Sequence, residues 1–216
     1  MSQSPLVVAI DGGAGTGTST AAEGVSIALD VPHLNTGSMY RAIAWECMRN
    51  GIDLLDDAGC TQIAREAELE FDGGTVTKVN GTEVGHALYG EGMGPHASTV
   101  SGNRGVRLAM VELQRQIASE QGAVMEGRDI GTNVFPDAPF KFYFTCEPTE
   151  RVRRVNAGGR HHETIDSLLA RDKADEAHAH GTFKQAEDAV EIDTTNLSKA
   201  EVIAEIVHII HTSGAI

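Results

Sequence analysis

The chain has 216 residues, which allows one large domain or one domain with a smaller insert. With 41% hydrophobic and 22% charged residues it has the composition of a globular protein, which excludes disorder of the whole chain. The 31 acidic and 17 basic residues give a net charge of −14, which argues against loose nucleic-acid binding because that needs a broad positive field. No stretch resembles a membrane span or a secretory signal, so we expect a cytoplasmic protein.

The cysteines and histidines do not form a recognisable metal site. Cys47, Cys60 and Cys146 are widely spaced and form no CxxC pair, so neither a disulfide framework nor a zinc site is predicted. The pairs His161-His162 and His178-x-His180 have no neighbouring cysteine or carboxylate cluster. We interpret these histidines as solvated side chains.

The first part of the chain has the pattern of a strand, a glycine loop and two helices. Residues 6–10, LVVAI, form an apolar run that is typical of a buried strand in a parallel sheet. A glycine-rich segment at 12–17 follows directly, and the apolar spacing over 19–30 predicts a helix. A second helix is predicted over 38–49, before the stop signal Asn50-Gly51.

The middle of the chain predicts a hairpin insert, a long helix and two strands. Residues 68–84 contain the hairpin-turn signals Asp72-Gly73-Gly74 and Asn80-Gly81. An apolar stripe predicts a single helix over 97–120. Residues 123–125 and 140–145 predict two further buried strands.

The last part of the chain returns to helices and a strand. Helices are predicted over 148–155 and 164–173, with a mobile glycine-rich loop at 156–162 between them. A strand is predicted over 189–193, and Ser198 with Glu201 forms a capping box for a C-terminal helix. Strands that alternate with helices indicate an α/β fold with a parallel sheet.

The glycine-rich segment matches most of a phosphate-binding loop. In the pattern G-x-x-x-x-G-K-[ST], backbone N–H groups cradle polyphosphate, the lysine reaches the outer phosphates and the hydroxyl holds Mg²⁺. Both glycines and the hydroxyl of Ser19 are in register, but Thr18 stands at the lysine position. A simple tight turn is the alternative for this segment alone. The predicted ATP-phosphate contacts are Gly12, Gly13, Ala14, Gly15, Thr16, Gly17, Thr18, Ser19 and Thr20.

Arginines are clustered in the second half of the chain, which allows a positive pocket inside a negative molecule. Guanidinium groups bind phosphate through paired hydrogen bonds, and phosphoryl transfer depends on positioning and charge neutralisation. The cluster comprises Arg104, Arg107, Arg115, Arg128, Arg151, Arg153, Arg154 and Arg160.

Two longer motifs decide between these interpretations: T-G-S-M-Y-R at 36–41 and G-R-D-I-G-T-N-V-F-P-D-A at 127–138. With them the sequence closely resembles the bacterial cytidylate (CMP/dCMP) kinase family, and T-E-R-V-R-R at 149–154 extends the match. The resemblance implies a P-loop NTPase-type α/β fold: a five-stranded parallel sheet flanked by helices, with a small antiparallel β insert and a short lid. The implied parts are a core (1–34, 104–150 and 188–216), an acceptor-binding insert (about 35–103) and a lid (about 151–187).

The resemblance also implies roles for individual residues. Thr36 and Arg41 would contact the acceptor monophosphate, with Arg107 and Arg128 around its phosphate. Ser98 and Asp129 would read the cytosine edge, and Asp175 would bind the sugar hydroxyls. The predicted catalytic group comprises Thr18, Arg128, Arg154 and Arg160; Arg153 is a further ATP contact, and His178 completes the CMP set.

Three positions depart from the family pattern. Thr18 replaces the P-loop lysine, Asn35 replaces an aspartate, and His178 replaces an arginine. We consider two hypotheses for the missing charge. Either a lid arginine (Arg153, Arg154 or Arg160) swings over the β- and γ-phosphates, or a monovalent cation such as K⁺ sits near Thr18, held by hydroxyl and phosphate oxygens.

These observations predict a nucleoside monophosphate kinase that converts ATP and CMP or dCMP into ADP and CDP or dCDP, with Mg²⁺ on the donor phosphates. The predicted partners are these small molecules, with no nucleic acid and no membrane, and the protein is predicted to be a monomer. Two alternatives stay open. One is a catalytically weak or inactive nucleotide-binding paralog, and the other is a kinase with UMP or AMP as acceptor.

Overall fold

A five-stranded parallel sheet forms the centre of the computed structural model, which describes residues 5–90, 92–158, 163–177 and 183–214. In chain order the strands are β1 (Val7–Gly12), β2 (His33–Asn35), β3 (Leu69–Asp72), β4 (Thr75–Val79), β5 (Thr82–Glu83), β6 (Ala123–Gly127), β7 (Phe140–Thr145) and β8 (Val190–Asp193). The order in the main sheet is β2-β6-β1-β7-β8, with every neighbouring pair parallel. The predicted five-stranded parallel sheet is confirmed.

Helices cover both faces of this sheet. They are α1 (Thr18–Leu29), α2 (Thr36–Arg49), α3 (Asp57–Glu66), α4 (Met93–Ser101), α5 (Arg104–Gln121), α6 (Pro148–Ala157), α7 (Ile165–Ala177) and α8 (Lys199–Thr212). Short turns of 3-10 and π type lie at Gly85–Tyr89 and Ile130–Val134. Among the described residues, no helix is long and apolar enough to cross a membrane.

Two hydrophobic cores explain the continuous apolar run of β1. Val8 and Ile10 belong to one core with residues of α1, β7 and α8, whereas Ala9 belongs to the other with residues of α2, α5 and β6. Successive side chains of a strand point to opposite faces, so a strand covered on both sides must be apolar at every position. The P-loop therefore follows a strand that is buried along its length.

The small antiparallel sheet β3-β4-β5 confirms the predicted β insert. Both predicted turns have the left-handed backbone that glycine and asparagine tolerate best. Gly73 and Gly74 have φ of 53° and 80°, and Asn80 and Gly81 have φ of 49° and 73°. Local sequence therefore specifies this hairpin.

The single helix predicted over 97–120 is wrong, because the structure has two helices that are separated at Gly102-Asn103. Asn103 is the N-cap of α5, and its Oδ1 accepts hydrogen bonds from the N–H groups of Gly105 (2.8 Å) and Val106 (3.0 Å). Its Nδ2 donates to the carbonyl oxygen of Asp57 at 2.9 Å. This long-range bond favours a cap over helix continuation at Asn103.

Two other boundaries differ from the predictions around the lid. Helix α7 continues to Ala177, beyond the predicted end at 173. Residues 156 and 157 of the predicted mobile loop belong to α6, and Asn156 exchanges two 3.0 Å hydrogen bonds with the backbone of Glu163. Gly158 is the C-cap of α6, and the remaining loop residues, 159–162, lie outside the described residues. The capping box of Ser198 and Glu201 at the start of α8 is confirmed.

Candidate active site

A cavity of about 1010 Å³ opens beside the carboxyl ends of β1 and β6. Ligands of open α/β sheets bind at this edge. The predicted site residues in its lining are Gly13, Ala14, Gly15, Thr16, Gly17, Thr18, Ser19, Thr20, Thr36, Arg41, Ser98, Arg107, Arg128, Asp129, Arg153, Arg154 and Asp175. Gly12 does not line the cavity, and Arg160 and His178 lie outside the described residues.

The P-loop curves tightly between β1 and α1. Thr16 closes the turn, because its N–H and its Oγ1 both donate to the carbonyl oxygen of Gly13, at 3.3 and 2.8 Å. Gly15 and Gly17 have φ of 79° and 99°, in the left-handed region where a side chain is strained. Helix α1 then begins at Thr18, so the unpaired N–H groups of its first turn are available to an anion.

Thr18, at the lysine position, is bound to the end of β6. Its side chain is buried, and Oγ1 donates to Oε2 of Glu126 at 3.0 Å. The other carboxylate oxygen of Glu126, Oε1, is buried without a hydrogen-bond partner and lies 4.0 Å from Nε2 of His33. A buried carboxylate oxygen without a partner is costly. The lysine position of this P-loop therefore adjoins an anionic group.

Arg128 and Asp175 connect the P-loop to the acceptor side of the cavity. Nη1 of Arg128 donates to the carbonyl oxygen of Gly12 at 2.5 Å, and its Nε lies 3.3 Å from Oδ2 of Asp175. The guanidinium of Arg128 also stacks on the ring of Phe183, 5.4 Å from its centroid. Oδ1 of Asp175 accepts a 2.7 Å hydrogen bond from Oγ of Ser98. Asp175 thus contacts two other predicted acceptor residues, Ser98 and Arg128.

Arg107 and Asp129 form a buried ion pair at the same end of the cavity. Asp129 also accepts a hydrogen bond from Nδ2 of Asn133 at 2.9 Å. Thr36 is buried, and its Oγ1 donates to the carbonyl oxygen of Glu126 at 2.8 Å. The predicted cytosine and phosphate contacts are therefore adjacent, and both are paired within the protein.

Two neighbours of the acceptor residues have a clear structural role. Asn35 is the N-cap of α2, because its Oδ1 accepts from the N–H of Ser38 at 2.9 Å. Asparagine and aspartate cap helices about equally well, so this capping role does not require the aspartate that the resemblance implies at this position. Arg41 stacks over the ring of Tyr89 at 5.0 Å, so an aromatic side chain that the sequence analysis did not single out orients it.

The lid arginines differ in how firmly they are held. Both Nε and Nη2 of Arg153 bind the carboxylate of Glu150, at 2.6 and 2.7 Å, on an exposed side chain. Arg154 lies between α6 and the end of β8, where Nη2 donates to the carbonyl oxygen of Thr194 at 2.7 Å. Its Nη1 is 3.5 Å from the carbonyl oxygen of Thr16. Of the two described candidates for the missing charge, Arg153 and Arg154, Arg154 is therefore the one that contacts the P-loop.

Sequence reasoning did not single out Asp11 and Glu126, and it named Arg151 in the arginine cluster without a site role; all three side chains are buried around the P-loop. Asp11 accepts hydrogen bonds from the N–H groups of Ile130 and Gly131, both at 2.8 Å, and so positions the segment that carries Arg128. A signal for Asp11 and Glu126 was present, because each is a lone charge at the carboxyl end of a buried strand. The sequence around Arg151 gives no such signal, because it does not distinguish Arg151 from an exposed arginine on a helix.

Asp11 makes the stability of the fold pH-dependent. Burial raises the pKa of Asp11 to about 7, against 3.8 for the unperturbed group, although the N–H groups of Ile130 and Gly131 oppose the rise. Between these values the unfolded chain has released the proton and the folded protein has kept it. The stabilising contribution is therefore complete below about pH 4 and is lost as the pH rises to 7, at up to about 1.4 kcal/mol per pH unit.

We expect Asp11→Asn to remove this part of the pH dependence. Denaturant unfolding of the wild-type protein and of Asp11→Asn, measured at intervals from pH 5 to pH 8, gives both slopes. The free energy of unfolding of the variant should fall less steeply with pH up to 7, and the two slopes should agree above it. Equal slopes below pH 7 would show that Asp11 does not titrate there.

The family model for cytidylate kinase matches residues 8–212 of the chain. The chain belongs to the cytidylate kinase family. A cytidylate kinase from Citrifermentans bemidjiense is 40% identical over 92% of this chain and 89% of its own length. One from Streptomyces avermitilis is 37% identical over 97% of this chain and 94% of its own length.

Solved structures of other kinases share the fold of this cytidylate kinase family member. A gluconokinase from Sinorhizobium meliloti superposes with a TM-score of 0.52 at 14% identity, over 98% of this chain and 95% of its own. A shikimate kinase from Acinetobacter baumannii in complex with shikimate has the same TM-score at 10% identity, over 98% and 96%. The family and the P-loop kinase fold that the sequence predicted are both confirmed.

Proposed function

We propose that this cavity binds ATP and CMP or dCMP side by side and transfers the γ-phosphoryl group directly between them. The observation that carries the proposal is the continuous cavity of about 1010 Å³ in which the P-loop faces the arginines and carboxylates of the acceptor side. Membership of the cytidylate kinase family supports the acceptor base. The acceptor phosphate oxygen attacks the γ-phosphorus, so no side-chain nucleophile is needed.

In this proposal the chain divides into a core, an acceptor insert (about 35–103) and a lid (about 151–187). The P-loop N–H groups bind the donor phosphates, and Arg41, Arg107 and Arg128 neutralise the acceptor phosphate. Ser98 and Asp129 read the base, and Asp175 binds the sugar, with His178 as the remaining acceptor contact.

The acceptor would replace contacts that the protein makes with itself. Arg107 is paired with Asp129, and Asp175 accepts from Ser98, so these four predicted ligand groups already have polar partners. These partners keep buried charges compensated before a nucleotide binds. Binding of CMP then exchanges hydrogen bonds and leaves few buried groups unpaired.

Mg²⁺ fits the donor side of this site. Ser19 is exposed at the first turn of α1 and lines the cavity, and the buried Oε1 of Glu126 has no hydrogen-bond partner. Among the described residues, no group of three His, Cys, Asp or Glu side chains could hold a metal by itself. Mg²⁺ does not need such a group, because it usually binds to one or two protein groups together with substrate phosphates. When bound, it supplies positive charge to the transferring phosphoryl group.

Two sources remain proposed for the charge that the missing lysine would supply. A K⁺ ion near Thr18 would have the carboxylate of Glu126 as an anionic neighbour, since Thr18 already bonds to it. A lid arginine is the alternative, and of the described candidates Arg153 and Arg154 it is Arg154 that adjoins the P-loop. Arg153 would have to leave Glu150, and Arg160 lies outside the described residues.

Salt dependence separates these two sources. ADP formation from ATP and CMP with Mg²⁺ is measured in potassium, sodium and choline chloride. If K⁺ supplies the charge, turnover falls by at least about tenfold in choline, and Thr18→Lys restores it because the ammonium replaces the ion. Cation-independent turnover excludes the K⁺ hypothesis.

The lid-arginine hypothesis predicts instead that Arg153→Ala, Arg154→Ala or Arg160→Ala lowers turnover in every salt. Arg65→Ala is the matched control, because Arg65 is exposed on α3 and does not line this cavity. Unchanged turnover in all three lid variants would exclude the lid-arginine hypothesis.

UMP, AMP and dCMP in the same assay establish the acceptor preference, and CMP binding without turnover would favour the inactive paralog. The monovalent cation, the cytoplasmic location, the monomeric state and the lack of a nucleic-acid partner stay predictions.

A further inference from the structure

Arg151 on α6 is held against the P-loop by its polar contacts. Its side chain is about nine-tenths buried, its Nε donates to the carbonyl oxygen of Ala14 at 2.7 Å, and its Nη1 lies 2.7 Å from Oδ2 of Asp172 on α7. Neither Arg151 nor Asp172 lines the nucleotide cavity. Arg151 therefore supports the P-loop from outside the cavity and is not placed to contact a substrate.

The P-loop is shaped to receive this side chain. A Cβ atom at Gly13 would lie 2.4 Å from Nη2 of Arg151, and one at Gly15 would lie 2.6 Å from its carbonyl oxygen. Gly15 requires glycine, because its neighbour is a backbone atom and its φ is 79°. At Gly13 a side chain would have to displace the guanidinium of Arg151. The position of α6 and the conformation of the P-loop are therefore interdependent.

The pair retains unused hydrogen-bonding capacity. Nη2 of Arg151 and Oδ1 of Asp172 are both buried without a hydrogen-bond partner. A structural ion pair that is buried needs these remaining groups satisfied to repay its desolvation. An incompletely satisfied pair is costly, so a rearrangement that supplied the missing hydrogen-bond partners would be favourable.

Asp172 extends this contact to the acceptor side. Asp175 is three residues later on α7, and residues at this spacing lie on the same side of a helix. Asp175 contacts Ser98 at 2.7 Å and Arg128 at 3.3 Å. One turn of α7 thus joins the polar contacts of Ala14, Arg151 and Asp172 to those of Asp175 with the predicted acceptor residues.

We propose that the Arg151–Asp172 pair couples the two nucleotide sites: donor phosphates that order the P-loop act through this pair on the position of α7, and so raise the affinity for CMP. Arg151 is a positioning residue in this scheme. The inference rests on the proposed function, because it needs ATP in the P-loop and CMP beside Asp175. Coupling between two ligands is reciprocal, so CMP raises the affinity for ATP by the same factor.

The test is the dissociation constant of CMP, measured by calorimetry with and without a saturating non-hydrolysable ATP analogue and Mg²⁺. Their ratio is the coupling factor, which we expect to be at least about fivefold in the wild-type protein. Asp172→Asn and Arg151→Met should bring it close to 1, with the CMP affinity of the free enzyme unchanged within about twofold. Arg151→Lys, which keeps the charge beside Asp172, should restore part of it.

Lys141→Met is the control. Lys141 is also a buried cation, whose Nζ lies 2.7 Å from Asp188, and it does not line the cavity. The Lys141→Met variant should be less stable than the wild-type protein but keep its coupling factor, because the Lys141–Asp188 pair has only a structural role.

A wild-type coupling factor in Asp172→Asn would overturn the proposal, and so would a factor of 1 in the wild-type protein. If Arg151→Met does not fold, Asp172→Asn alone tests the coupling, because this substitution removes the charge at nearly constant side-chain volume. Failure of the wild-type protein to bind CMP at all would instead overturn the proposed function, and this inference with it.

Discussion

Replacement of Arg128 by methionine should lower kcat/KM for CMP by about 10³-fold or more, which is the lower end of what one arginine contributes to phosphoryl transfer. The structure gives the reason, since Arg128 bonds to the Gly12 carbonyl at the start of the P-loop and to Asp175 on the acceptor side. In the proposed function it would therefore lie between the two nucleotides. ADP formation at saturating ATP over a range of CMP concentrations measures the effect.

Arg115→Met is the matched control for this variant. Arg115 donates to the carbonyl oxygens of Val134 at 2.8 Å and Asn133 at 2.9 Å, so it holds the other end of the same segment without lining the cavity. We expect its kcat/KM to stay within about tenfold of the wild type, with a loss of stability of about 1 to 3 kcal/mol. A fall of less than tenfold in folded Arg128→Met would contradict the proposed role of Arg128.

The second large effect is expected at Gly15. Gly15→Ala places a side chain at φ of 79° and within 2.6 Å of the Arg151 carbonyl oxygen. The backbone strain costs about 1 to 2 kcal/mol, and the overlap adds about 1 to 3 kcal/mol. The free energy of unfolding should therefore fall by about 2 to 5 kcal/mol, and the affinity for ATP should fall at least about tenfold because the phosphate cradle must shift.

Gly51→Ala separates strain from overlap in this experiment. Gly51 has a similar φ of 71°, but a Cβ atom added there would have no other atom within 4 Å. It should lose only about 1 kcal/mol and keep its ATP affinity. Denaturant unfolding and titration with ATP and Mg²⁺ measure both quantities. If Gly15→Ala behaves like Gly51→Ala, the close packing of α6 on the P-loop does not constrain this loop.

The sequence predicted most secondary structure because the relevant signals are local. The apolar run of β1, the two glycine turns of the β insert and the capping box at Ser198 each depend on residues that are close in the chain. The break between α4 and α5 could not be predicted in this way. It depends on Asn103, whose side chain bonds to Asp57 as well as to its own helix.

The sequence by itself determined the family, the P-loop and most of the predicted residues that line the cavity, because motifs such as residues 127–138 carry them at fixed spacing. Only the tertiary structure decided what these residues contact: Thr18 bonds to Glu126, Arg107 pairs with Asp129, and Arg151 lies against Ala14 and Asp172. These partners are far apart in the chain and have no spacing pattern. Burial sets their geometry, since a charge removed from water must find a partner wherever the packed elements bring one within reach.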